Sequence, residues 1–170
     1  MTERAPAPGE LALVERLVNT LDLETGADAL DTEEARRALG IPQDGTERAR
    51  ELRESLRAVL LVHAGHPPHR EVTPLGQLLA AAPLLVDVDE ATGEATLAPA
   101  DPDPLVSRIT AAIAQAAADG SWPRLKACHA PDCHWAFYDR SPAGRGRWCV
   151  MSVCGSRAKM RSYRARRAEA

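Results

Sequence analysis

Aromatic residues are scarce in this 170-residue chain, and none occurs before Trp122. The six are Trp122, Trp135, Phe137, Tyr138, Trp148 and Tyr163. A core built from the first 120 residues must therefore be aliphatic, and its leucines and alanines favour helices. Cysteine is equally sparse, with four residues, all beyond position 127. No run of about 18 apolar residues occurs, so no transmembrane helix and no membrane partner are expected. The opening MTERAPAPGE lacks the apolar stretch of a secretory signal, so a cytoplasmic protein with reduced thiols is expected. There is no Ser/His/Asp set, no P-loop and no dinucleotide fingerprint, and an enzyme is not expected.

Residues 1–9 are rich in Pro and Ala and are expected to be disordered. Leu11, Val14, Leu17, Val18 and Leu21 recur at helical spacing and predict a first helix over residues 9–23. Asn19 and Thr20 near its end either terminate the helix or form the rim of a ligand pocket. Asp31-Thr32-Glu33-Glu34 is a capping-box-like start for a short helix that stops at Gly40. The third helix, over 46–64, puts Leu52, Leu56, Val59, Leu60 and His63 on one face. Its other face carries Glu47, Arg50, Glu51, Arg53, Glu54 and Arg57 and reads as solvated.

His63, His66 and His69 raise a metal hypothesis. His63 falls in the helix, however, and His69 lies beyond Pro67-Pro68, so a loop with incidental histidines is the simpler reading. A short helix after Thr73-Pro74 is followed by a hairpin of 84–88 and 95–97 around Ala91-Thr92-Gly93. Asp103-Pro104 starts a helix whose stripe is Leu105, Val106, Ile109, Ala112, Ile113 and Ala116. Residues 10–120 are thus expected to form a mostly helical domain with one small β-hairpin, folding separately from residues 121–170.

The last fifty residues differ in kind. Cys128, Cys133, Cys149 and Cys154 form two C-x4-C pairs separated by fifteen residues. Two short-range thiolate pairs suit one structural, tetrahedral Zn²⁺; two disulfides are the alternative in an oxidising compartment. A strand at 125–127, a second at 135–138, a turn at 141–144 with a return through Arg147-Trp148, and a helix over 152–167 predict a treble-clef-like finger. Trp135, Phe137 and Trp148 would pack around the metal, which supplies folding free energy on the order of 10 kcal/mol in finger peptides.

Charge is divided between the two parts. Residues 121–170 hold eleven Lys/Arg against three Asp/Glu, whereas residues 1–120 hold ten against twenty-one. Arg157, Arg161 and Arg164 stand at i, i+4 and i+7 and form one stripe, with Lys159 and Arg166 on another side. Lys126, Arg140, Arg145 and Arg147 would extend this surface over the strands and turn, making duplex DNA the expected partner.

The segment 125–167 closely resembles the CGNR zinc finger, and residues 11–20 more weakly resemble the ABATE domain that accompanies it. The family's four cysteines fall on Cys128, Cys133, Cys149 and Cys154, and its name-giving motif falls on Cys154-Gly155-Ser156-Arg157, with Ser156 in place of Asn. The resemblance implies a zinc-dependent, DNA-binding transcription regulator of the stress-induced kind described in bacteria. The acidic helical part would then sense a small-molecule effector or form a homodimer. The second function class is a zinc-stapled protein–protein interaction module without DNA binding.

Overall fold

The computed structural model describes residues 5–101 and 104–168. Helices α1 (Leu11–Val18), α2 (Glu33–Leu39), α3 (Thr46–His63), α4 (Leu75–Leu79) and α5 (Leu105–Ala118) make up the first part. An antiparallel hairpin of β1 (Leu84–Val88) and β2 (Ala95–Pro99) is inserted between α4 and α5. A second antiparallel pair, β3 (Leu125–Ala127) and β4 (Ala136–Tyr138), and helix α6 (Ser156–Ala168) complete it. The mostly helical architecture, the small hairpins and the cysteine cluster ahead of a final helix agree with the sequence reading.

Local chemistry sets the helix ends. Thr32 caps α2 by accepting from the Ala35 N–H at 3.3 Å, and Gly40 ends it at φ 70°, where a side chain would be strained. α1 is shorter than the periodicity predicts. Its C-cap is Asn19, and Leu21 leaves the helix to bridge Asp28, with the Ala29 N–H donating to the Thr20 carbonyl at 2.7 Å. α5 follows Pro104; Asp103, the other half of its predicted start, lies outside the described residues. Residues 1–4 also lie outside them. The rest of the segment expected to be disordered is held in place: Ala7 is buried and donates its N–H to Glu15 at 2.6 Å. Arg140 binds the carbonyls of Ala5 and Pro6 at 2.9 and 2.7 Å.

α3 is the central element and is covered on more sides than its pattern suggests. Leu52, Leu56, Leu60 and Leu61 enter the aliphatic core. On the face read as solvated, Glu47 and Glu51 are exposed, but Arg53, Glu54 and Arg57 are buried. Later segments fold over that face and bring partners. Glu54 pairs with Arg53 at 2.9 Å, Arg57 at 3.3 Å and His69 at 3.0 Å, while Arg53 also grips Asp28 at 2.8 Å. Burial pushes the Glu54 carboxyl up, but Arg57 and Arg53 outweigh it and hold it below the ordinary value.

The boundary expected at residue 120 is crossed by the core. One hydrophobic cluster joins Leu13, Leu17, Leu56, Ile109 and Ala116 to Leu125, Ala127 and Ala136, with Trp122 and Tyr138 packed against it. β3 lies on α3, and the His63 ring bonds the Leu125 carbonyl at 2.8 Å. A second, smaller cluster contains Cys128, Ala130, Phe137, Cys149 and Cys154, with Trp135 and Trp148 at its edge. The expected return strand through Arg147-Trp148 does not form. The second hairpin is β3 with β4, closed around the first cysteine pair, and Arg147 contributes only its carbonyl to the His129 N–H at 2.9 Å.

Candidate metal centre and basic helix

β3 and β4 bring the first two ligands together. The Cys128 N–H donates to Trp135 O at 3.0 Å, and between them the chain turns tightly, with Cys133 N–H on Ala130 O at 3.0 Å. The turn ends at His134, whose φ of 46° lies in the left-handed region that non-glycine residues rarely adopt. Two anchors hold it there: its N–H reaches Ala130 O at 3.2 Å, and its carbonyl accepts from Arg57 at 2.9 Å. The second pair sits where a single π-helical turn, Met151–Gly155, leads into α6. The Cys154 N–H bonds Val150 O at 2.9 Å, and Gly155 has no room for a side chain, since a Cβ there would overlap Met151 Sδ and press on Trp148.

The four sulfurs lie within 4.8 Å of one another, and none is in a disulfide. Sulfurs on one tetrahedral Zn²⁺ at about 2.3 Å stand roughly 3.8 Å apart. Cys133 and Cys149 are 3.6 Å apart, and Cys149 and Cys154 are 3.7 Å apart. The donor set and its spacing therefore fit a zinc ion, and the chain can hold one through these four residues. Without the ion the thiols compete for protons. Hydrogen bonds from Cys133 and then Cys149 lower the Cys128 thiol below its ordinary value, and the same sharing raises Cys133 and Cys149 above theirs. A divalent cation removes that conflict by accepting all four as thiolates.

The remaining residues singled out from the sequence divide into buried and exposed sets. Lys126, expected on the nucleic-acid surface, is 4% exposed. Its ammonium pairs with Asp139 at 2.9 Å and caps the carbonyls of Gly144 and Gly146, so it ties the 141–146 turn to β3. Burial raises the Asp139 carboxyl, but bonds from Lys126, Ser141 and Gly146 together hold it far below the carboxylate range. Arg140 is likewise taken up by the N-terminal carbonyls and by the Tyr138 ring, 5.1 Å away.

Asn19 and Thr20, weighed as a ligand rim, serve inside the fold. The Asn19 amide imitates a neighbouring strand, donating to Ala136 O at 3.0 Å and accepting from Ala136 N–H at 2.7 Å. Thr20 Oγ1 donates to Leu17 O and accepts from Arg53. Arg145, Arg147, Arg157, Lys159, Arg161, Arg164 and Arg166 are all exposed. Of these, Arg157 contacts Glu24 at 3.1 Å.

Sequence reasoning missed Arg57. It is 0% exposed and grips Val18 O at 2.8 Å as well as His134 O, so one side chain ties α1, α3 and the metal turn. Its neighbourhood also collects histidines: the ring of His134 lies 5.7 Å from that of His69 and 6.3 Å from that of His66. Among the described residues, only the cysteines converge closely enough for three or more ligands to share an ion.

Residues 124–167 match the family model of the CGNR zinc finger, which covers β3, β4, all four cysteines and α6 through Arg167. No curated protein matches the chain significantly. No described helix is long and apolar enough to cross a membrane.

Proposed function

We propose that this protein is a zinc-dependent, DNA-binding transcription regulator in which α6 is laid against duplex DNA. The supporting observation is the character of α6. Every residue from Ser156 to Arg167 except Ala158 is exposed, and the helix carries six Lys/Arg with no acid. A helix that is polar on nearly all sides and leaves the body of the protein buries no stripe of its own, so its sequence is explained by a partner. Arg157, Arg161 and Arg164 share a face, and a shallow groove of about 530 Å³ runs along it past Met160 and Val153. The zinc ion has a structural part in this reading. Four thiolates fill its coordination sphere, leave no position for an activated water, and through Cys154 anchor the π-helical turn that leads into α6. The acidic helical part would carry the regulatory input.

Duplex DNA affinity measured against salt tests the proposal. If α6, Arg145 and Arg147 neutralise about four to six phosphates, log K falls with log salt at a slope of roughly −4 to −5. Arg161→Ala flattens the slope by about one unit, whereas a loss confined to a specific sequence in Arg157→Ala marks base readout. Lys126→Met leaves the slope unchanged once folding is accounted for. Zinc-loaded protein that binds no duplex even at low salt would overturn the reading in favour of a protein-interaction module.

A further inference from the structure

Two arms leave the body of this protein, and their charges are opposite. The first is the β1–β2 hairpin, in which every residue from Leu85 to Leu97 is exposed. Val86 pairs with Leu97 across the strands, and both lie with Val88 on one face at 68%, 53% and 51% exposure. Asp89, Glu90 and Glu94 cluster at the turn end of this face, Asp87 points to the opposite face beside Leu85, and no Lys or Arg occurs anywhere from residue 71 to 107. A two-stranded hairpin with bare apolar side chains is marginal by itself and is the kind of surface that a partner covers. The second arm is α6, with six cations and, among them, Met160 and Tyr163 at i, i+3, about half-exposed. Among the described residues, no hydrogen bond or ion pair joins the two arms within one chain.

We infer that the β1–β2 hairpin is the docking surface for α6 of a second copy of this chain, so that two copies exchange hairpin and helix reciprocally about a two-fold axis. Charge selects the occupant. A second hairpin, with four carboxylates and no base, is repelled by the first. α6 brings six cations to the carboxylates and sets Met160 and Tyr163 against Val86, Val88 and Leu97. Because each copy offers one arm of each kind, the contact is satisfied twice and closes at a dimer. Because α6 is also the helix proposed to meet DNA, docking it on a hairpin covers part of that surface, and dimer and DNA-bound protein are competing states. The dimer does not depend on DNA binding being correct.

Sedimentation of the zinc-loaded full-length protein without DNA tests this. The expected result is a dimer at about 50 mM salt that dissociates at about 500 mM, where screening shortens the Debye length to a few ångströms. Glu90→Lys/Glu94→Lys and Arg161→Glu/Arg164→Glu each give a monomer at low salt. All four positions are exposed, and circular dichroism should show both variants folded. Mixed in equal amounts, the two variants form a heterodimer, because one contact is the unaltered hairpin on the unaltered helix and the other sets the introduced lysines against the introduced glutamates. A monomeric parent protein at low salt overturns the inference. So does a dimer lost with the hairpin variant but kept with the helix variant, which would mean hairpin–hairpin pairing. Failure of the mixture to associate also overturns it.

Discussion

Replacing Arg57 with methionine tests whether the helical part and the metal module are one folding unit. The substitution keeps most of the aliphatic stem and removes the guanidinium from a site with no solvent exposure. It leaves the carbonyls of Val18 and His134 without their donor and takes one cation from the buried Glu54 carboxylate. Breaking one side of a buried charge network costs about 3–5 kcal/mol, because the groups left behind stay desolvated. Arg53 and His69 still hold Glu54, so the lower half of that range is expected. At roughly 2–4 °C per kcal/mol for a chain of this size, the melting temperature falls by about 10 °C. Helical content followed by circular dichroism and zinc transfer to a chromophoric chelator should both respond. Arg57 holds the positive-φ residue beside Cys133 in place, so zinc is released faster even below the melt. A loss under about 1 kcal/mol, or a lower melt with unchanged zinc release, would refute the coupling.

Other consequences follow from the same contacts. Residues 1–121 expressed alone should fail to melt cooperatively, because Leu125, Ala127 and Ala136 are missing from the shared core; a sharp two-state melt by circular dichroism would contradict this. Elemental analysis should find one zinc per chain, with Cys149→Ser losing it, and affinity should fall as pH is lowered because protons compete for thiolates that the ion requires. Asp139 has a depressed pKa, so its contribution to stability is present above the ordinary carboxylate range and is lost as pH falls through its folded value. Asp139→Asn should therefore flatten acid unfolding monitored by tryptophan fluorescence. Gly155→Ala should displace Met151 and Trp148 and weaken zinc retention in the chelator assay; unchanged retention would show that the π-helical turn can shift without cost.

Much of the local structure was legible. Thr32 and Gly40 bound α2 as their chemistry requires, and the turn at residues 91–93 joins the two predicted strands, the second running two residues further than expected, to Pro99. The four cysteines pointed to a metal site because two short-range pairs in an otherwise cysteine-free chain match a zinc ligand set, and the structure brings the four sulfurs together with no disulfide. Arg53, Glu54 and Arg57 were misread, and the reason is general. A charged helix face looks the same in sequence whether water or later chain segments neutralise it. Their partners Asp28, His69 and the carbonyl of His134 come from three separate stretches. Lys126 was misread for the same cause, since its carboxylate is thirteen residues away and appears beside it only when β3 pairs with β4.

The amino-acid pattern by itself determined the helices in outline, the first hairpin, the ligand set for zinc and the unequal division of charge. Each of these depends on residue type and short-range spacing, which survive without knowledge of the fold. Only the tertiary structure decided that residues 121–138 complete the core of the first part, that Arg57 clamps the metal turn and Asn19 the start of β4, and that Lys126 is internal while α6 stands free. Those outcomes depend on long-range burial, where a polar group is stable only beside a partner that the folded chain delivers.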